Sequence, residues 1–225
     1  MPTRTCEIRP AKGKEAKRIH SFYQAKNDVN VLPRPLEDLQ KSAEKGLFFV
    51  AETNANLIAV SGVFDLGPIP YVELGGTLVD EPVRGFRIQE LLFRLRIASV
   101  VLNQGTEMGI LTAVDPSNEA STHNAVKCGF NEWPNPVSEL FEPCESCPKR
   151  AETQAKGRRC CCEFYILPAA NARREVQNLL DATALSGTIR RTHKKTGENL
   201  AIEIRSQLLT ENRALLAAFA TGEKW

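Results

Sequence analysis

No apolar run in this chain approaches the roughly 18 residues that a membrane-spanning helix needs. The first twenty residues, MPTRTCEIRPAKGKEAKRIH, lack the apolar core of a secretory leader. These two absences predict a cytoplasmic protein with no membrane contact, whose seven cysteines are thiols or metal ligands rather than disulfides. Charge of one sign is also lacking. The 29 Lys and Arg against 27 Asp and Glu leave a formal charge of +2, too little to imply a polyanionic partner unless it is clustered. There is no internal repeat and no low-complexity tract. What is present is ordinary: 42% hydrophobic and 25% charged residues describe a globular chain, and 225 residues suit one domain with an extension, or two small ones.

Along the chain, residues 4–9 read as a short strand and 11–26 as a polar helix with Ala16, Ile19, Phe22 and Tyr23 at helical spacing. The loop 27–35 brackets Arg34 between two prolines, and a second short helix over 36–45 ends at Gly46. LFFVAE and LIAVSGVFDL are β-rich runs joined by TNAN, a hairpin by its turn chemistry. A strand over 71–79 follows, in which Gly75 and Gly76 suggest a bulge or a close backbone approach. Next come a turn at 83–89, a helix apolar on most sides, a buried strand over 108–114, and a helix ending at Gly129. Two more strands are expected, around 137–141 and at 160–167, separated by a Cys-rich insertion (142–162). Beyond Ala170 the pattern changes to a helix near 171–182, a hairpin around Thr196 and Gly197, and a last helix over 206–220. The expected organisation is therefore residues 1–169 as the main domain and 170–225 as a C-terminal extension.

The turn Val-Arg-Gly-Phe-Arg-Ile-Gln (83–89) joins a strand to a helix N-terminus, where unpaired backbone N–H groups and the helix dipole suit a phosphate. An ordinary βα turn fits the same residues taken alone. The order β-α-α-β-β-β-α-β-α-β-β, however, resembles the GNAT superfamily of acyl-CoA-dependent N-acyltransferases over roughly residues 4–168. Three stretches carry the likeness. LVDEPVRGFRIQELL is similar to the family's Val-x-Pro-x-x-Arg-Gly-x-Gly-x-Gly/Ala run, with Pro82 one residue late and with Arg87 and Gln89 where the family prefers small residues. In LTAVDPSNEASTHNAVKCGF, Asn118, Ser121 and Gly129-Phe130 stand at the family's spacing, and EFYILP lies where its last strand usually falls.

The resemblance implies an α/β fold with a mixed central sheet flanked by helices. It implies acetyl-CoA as co-substrate, with Val79 pairing to the pantetheine arm. The backbone of Arg84, Gly85, Phe86, Arg87, Ile88 and Gln89 would hold the pyrophosphate, and Asn118 and Ser121 would lie at the cofactor where the following helix begins. A glycine at 87 or 89 would let phosphates approach without a Cβ in the way; Arg87 could instead offer a charge-assisted bond. The acyl acceptor would be an amine, on a small molecule or a protein. A loose likeness of residues 31–52 to N-acetylglutamate synthase domains suggests an amino acid, with Arg34 near its carboxylate.

Acyl transfer to an amine needs a base, a polarised carbonyl and a proton for the leaving thiolate. Glu73, six residues before Val79, stands where the lysine-acetylating branch of the family has its glutamate; a solvent-facing residue on an alternating strand is the other reading. The family's usual tyrosine falls at Ala125, which carries no proton. His123 is a candidate donor or a solvent-facing helix residue, and Cys128 reads as a core thiol. The alternative to an enzyme is a catalytically silent module of the same shape, which Arg87, Gln89 and Ala125 favour.

CESCPKRAETQAKGRRCCC concentrates five of the seven cysteines in 19 residues. Cys144 and Cys147 form a C-x2-C knuckle, and Cys160 and Cys162, two apart on an expected strand, would share a side, with Cys161 turned away. Four thiolates suit a structural zinc ion; an iron–sulfur cluster or a reduced, redox-active group are the alternatives. Lys149, Arg150, Lys156, Arg158 and Arg159, with Arg190, Arg191, Lys194 and Lys195 of the tail, make either a basic surface for nucleic acid or an acidic partner, or simply solvated loops. No aromatic residues interleave to stack on bases.

Overall fold

A computed structural model of the chain describes residues 4–26, 28, 31, 34–67, 69–105, 108–133, 149–157, 160–183, 188–193 and 195–223. In chain order the elements are β1 (Arg4–Pro10), α1 (Ala16–Lys26), α2 (Leu36–Glu44), β2 (Phe48–Thr53), β3 (Asn56–Asp65), β4 (Tyr71–Val79), α3 (Ile88–Gln104), β5 (Gly109–Val114), α4 (Glu119–Lys127), β6 (Asn131–Glu132), α5 (Arg150–Ala155), β7 (Glu163–Leu167), α6 (Ala169–Thr183), β8 (Thr188–Thr192), β9 (Asn199–Ile204), α7 (Gln207–Glu211) and α8 (Arg213–Thr221). Single 3-10 turns at Gly13–Glu15 and Glu81–Val83 precede α1 and α3. The strand expected around 137–141 lies outside the described residues. The strand expected from 160 begins at Glu163, and the last helix is broken at Asn212 into α7 and α8.

Among the described residues nine strands form one mixed sheet in the order β6–β7–β5–β4–β3–β2–β1–β9–β8. β4 runs parallel to β5 and β9 parallel to β1; the other neighbours are antiparallel. The C-terminal segment thus continues the sheet: its strand β9 pairs with β1 from Arg4↔Leu200 to Ile8↔Ile204. The TNAN hairpin turns through Asn54 (φ 51°) and Ala55 (φ 63°), the paired left-handed geometry that a tight two-residue hairpin requires.

Two apolar layers sandwich the sheet. On one face α1 and α2 bury Ile19, Tyr23, Leu39 and Ala43 against Phe48, Val50, Val60, Phe64 and Leu78. On the other, α3 buries Leu91, Leu92, Leu95, Ala98 and Val101 against Val63, Val72, Leu74 and Ile110, with α6 and α8 packed on its outer side. Burial on both sides explains why α3 is apolar almost all round and why β3 has buried residues at successive positions instead of alternating ones. Among the described residues no helix is long and apolar enough to cross a membrane.

At the α1 end, Arg9 makes a two-point contact with Glu15 (2.7 and 2.8 Å) and reaches Glu52 Oε2 at 3.0 Å. The Arg9 guanidinium holds the Glu15 carboxyl down at about 2, against an ordinary 4.5. A depressed carboxyl contributes stability that is complete above its unfolded value and is lost as pH falls towards the folded value. Glu15→Gln should therefore destabilise the protein by about 1–2 kcal/mol at neutral pH. Its denaturant midpoint should converge on that of the wild type as pH falls through 4.5 towards 2.

Candidate functional site

β4 and β5 pair at three positions only, Tyr71↔Gly109, Val72↔Ile110 and Glu73↔Leu111. Beyond them β4 runs on to Val79 beside β3, while β5 continues to Val114 beside β7. The β4–β5 pairing therefore ends at Glu73, and the strands part on the side of the turn before α3 and the start of α4. On β4, the register against β3 shifts between Val60 and Gly62, so that Gly76 and Thr77 stand opposite Ser61: a bulge beginning at the second of the two glycines that suggested one. Gly76 has φ 58°, and its carbonyl accepts a bond from the Tyr23 hydroxyl.

Glu73 sits where the pairing ends. It keeps 8% of its surface, so it is not the solvent-facing residue that an alternating strand could have given. Arg34, from the loop before α2, donates from Nη2 to Glu73 Oε1 at 2.6 Å and lies 4.4 Å from the centre of the Phe64 ring. Burial works against the charge on Arg34, but the Glu73 carboxylate more than offsets it and leaves the guanidinium's pKa raised. The pair lies directly over Gly75, where an added Cβ would stand 2.6 Å from Glu73 Oε1 and 2.9 Å from Arg34 Nη2.

On the side where the strands part, Phe86 and Ile88 point into the core and offer only backbone, while Arg84, Gly85 and Arg87 are exposed. Arg84 fastens the turn by donating from Nε to Val79 O at 3.0 Å and from Nη2 to Asp28 Oδ2 at 3.1 Å. Gly85 has φ 95°, and Arg87, the residue capping α3, has φ 58° and ψ 32°. That is a glycine's conformation carried by an arginine. Gln89 is committed to α4: its Nε2 donates to Ser121 Oγ at 3.3 Å and its Oε1 accepts from Asn124 Nδ2 at 2.9 Å.

On the facing wall Asn118 caps α4, its Oδ1 accepting from Ser121 N at 3.1 Å. Asp115, at the end of β5, accepts from Ser117 and from Lys149 of the insertion. Burial opposes its charged form, but Lys149 and Ser117 outweigh that and hold the carboxyl below its ordinary range. His123 is exposed, Ala125 is fully buried, and Cys128 is a core thiol that burial pushes up to about 12.

Two contributors to this region escaped the sequence reading. The turn between β8 and β9 brings His193 against the turn before α3: a Cβ on Gly85 would stand 2.5 Å from its Nε2, and its ring lies 5.1 Å from that of Phe86. No local signal connects positions 85 and 193. Arg96 on α3 is the other. It is fully buried, and a charge set inside an apolar helix is a signal that the sequence did carry.

In the insertion Cys144 and Cys147 lie outside the described residues. Cys160 and Cys162 come together as expected, but Cys161 does not turn away. These residues precede β7 and are not extended within it, and the three sulfurs all lie within 4.8 Å of one another. Cys161 and Cys162 Sγ are 3.8 Å apart, and Cys162 N donates to Cys160 Sγ at 3.4 Å. Of the basic residues, Lys149 is paired with Asp115 and Lys156 with Glu152, and Arg191 is half-buried. Arg158, Arg159 and Lys194 lie outside the described residues.

No protein-family model matches this chain, and no curated protein does. Solved structures do. A GNAT-family acetyltransferase from Staphylococcus aureus superposes with a TM-score of 0.52 at 17% identity, covering 72% of this chain and 98% of that one. One from Streptococcus pneumoniae gives 0.51 at 14%, covering 72% and 96%. N-acetylglutamate synthase from Neisseria gonorrhoeae gives 0.47 at 13%, and there the match spans 72% of this chain and 34% of the larger protein. The chain has the GNAT acetyltransferase fold, as its order of elements led us to expect.

The strain at Arg87 is measurable. A left-handed conformation costs a non-glycine residue about 1–2 kcal/mol. Arg87→Gly should accordingly raise the unfolding free energy by about 1 kcal/mol, read from denaturant midpoints, although the substitution removes a side chain.

Proposed function

We propose that this protein is an acyl-CoA-dependent N-acyltransferase that uses acetyl-CoA and acetylates an amine. The observation that carries the reading is the parted β4–β5 pair, with a phosphate-type turn on the side where the strands part and a buried carboxylate where their pairing ends. An extended pantetheine arm would lie along β4 from Val79 towards Glu73, a run of roughly 20 Å at the rise of a strand. The N–H groups from Arg84 to Gln89 would face the pyrophosphate, and Asn118 and Ser121 would border the arm from α4. Because Arg87 adopts the backbone geometry of a glycine, the loop keeps its shape at a position where the family prefers glycine. Its side chain is exposed and available to a phosphate.

Glu73 is the proposed base. Its ion pair with Arg34 is made through Oε1, and Oε2 is the oxygen we assign to the amine's proton. The guanidinium holds the carboxylate in one orientation and stands beside any acceptor that reaches it. One observation favours the silent-module reading. The Gln89 side chain already bridges α3 to Ser121 and Asn124, and a cofactor passing between the two helices would have to displace it.

Calorimetry and thermal shift separate the two readings. Acetyl-CoA should bind with micromolar affinity and raise the melting temperature, since a ligand that binds only the folded state stabilises it. Glu73→Gln should leave that affinity nearly unchanged while reducing turnover on a panel of amines by roughly a hundredfold or more. Absence of binding by the wild type would establish the silent module, and an equal loss of cofactor affinity in Glu73→Gln would make Glu73 structural.

We also assign a structural zinc ion to the insertion, with Cys160, Cys161 and Cys162 on one side of it and Cys144 or Cys147 completing the set. Thiolates about 2.3 Å from a tetrahedral zinc stand roughly 3.8 Å apart, the separation found between Cys161 and Cys162. The backbone N–H on Cys160 Sγ is a bond of the kind that supports a metal-bound sulfur. Purified protein should carry about one zinc per chain by elemental analysis. Cys161→Ser should lose it together with Cys160→Ser and Cys162→Ser; zinc retained in Cys161→Ser would restore a set from which Cys161 is excluded.

A further inference from the structure

Two guanidinium groups approach β4 at Gly75, one from each face of the sheet. Arg34 stands on the α1–α2 face, beside Phe64 of that apolar layer, and is matched by Glu73. Arg96 comes from α3 on the other face. Its Nη1 donates to the carbonyls of Gly62 (3.1 Å) and Gly75 (3.4 Å), its Nε donates to Leu92 O (3.1 Å), and it lies 4.6 Å from the Phe93 ring. Its Nη2 is sealed from solvent and has no hydrogen-bond partner among the described residues. No water-exposed surface remains on the residue.

Among the described residues the carboxylate that favours this charge is Glu73, which acts at a distance and is itself paired with Arg34. Arg96 forms no ion pair among those residues, and Glu90 of the same helix is engaged by Arg94 and Lys127. The thiol of Cys128 and the phenol of Tyr23, the other ionisable groups facing the guanidinium, are both pushed up by burial and stay neutral at ordinary pH. Burial also lowers Arg96, to about 9, which leaves it charged near neutrality. A lone buried cation is costly to keep, and its low-dielectric surroundings make it act strongly on any charge that develops nearby.

Resting on the reading of the parted strands as an acyl-CoA site, we infer that Arg96 stabilises the coenzyme A thiolate as it leaves. In the transfer the amine's lone pair forms the new C–N bond at the thioester carbonyl carbon. The C–S bond breaks with its electron pair passing to sulfur, and the amine's proton goes to Glu73. The sulfur therefore departs as an anion, at the end of the arm where β4 meets β5. Ala125 offers it no proton. The positive charge behind Gly75 does the work that a proton donor would otherwise do. Arg96 acts across the strand and not by contact, and is in that sense a positioning charge for the leaving group.

The test needs no acceptor amine. Coenzyme A labelled with carbon-13 at the carbon bearing the thiol is bound to the full-length protein, and its chemical shift is followed against pH. The bound thiol should titrate about one unit or more below free coenzyme A. Arg96→Lys, which keeps a cation, should preserve most of that depression, and Arg96→Met should return the thiol to the free value while coenzyme A still binds. A purely structural arginine would change affinity or melting temperature in these variants and leave the thiol's titration where it was. Coenzyme A that binds the wild type with an unshifted thiol overturns the role of Arg96 alone, and this holds even where Arg96→Met does not fold. No binding at all overturns the cofactor reading and this role with it.

Discussion

A parallel strand pair that stops after three residues uncovers backbone groups that must find other partners, because a buried carbonyl left unmatched costs about 1–3 kcal/mol. In β4 those partners are side chains drawn from four elements. Thr112 of β5 donates to the Leu74 carbonyl at 2.8 Å, Arg96 of α3 to Gly75, Tyr23 of α1 to Gly76, and Arg84 of the following turn to Val79. Each takes a place that water or a neighbouring strand would otherwise fill. The strand irregularity at Gly76–Thr77 lies in the middle of this set of bonds. The ion pair of Arg34 and Glu73 can lie over Gly75 only because no Cβ stands there.

The same economy appears in the turn before α3. Its path needs left-handed backbone at two places, and the sequence supplies a glycine at only one of them. Arg87 adopts the second conformation under compulsion from both sides: Phe86 and Ile88 are anchored in the core, and Arg84 is tied to Val79 and Asp28. The C-terminal hairpin adds its own constraint by resting His193 on Gly85 and Phe86, so a segment remote in sequence stands against the loop.

Most of the architecture was legible because it is written in periodicity and turn chemistry. The alternation of strands, the all-round apolarity of α3, the TNAN hairpin and the paired glycines of β4 each carry a local physical signal, and their order pointed to the GNAT fold. Glu73 was legible as a position; its burial was not, since that depends on α1, α2 and the Arg34 loop covering the strand. Arg34 was expected near an acceptor's carboxylate; its ion pair with Glu73 was not foreseen. Cys161 was assigned to the wrong side because a strand was assumed where the chain is irregular, and period-two reasoning holds only inside a strand. The roles of Arg96 and His193 arise from contacts across distant elements, which no window of sequence displays.

The central claim is that the parted strands and the turn at their mouth form one cofactor cleft. The most direct measurement is a map of backbone amide resonances, recorded on isotope-labelled protein as acetyl-CoA is added. The account predicts shifts concentrated at residues 74–79, at the amides from Arg84 to Gln89 and at Asn118 to Ser121, with the α6 and α8 helices left unmoved. Shifts confined to the C-terminal hairpin or the insertion, or an unchanged spectrum at saturating acetyl-CoA, would contradict it.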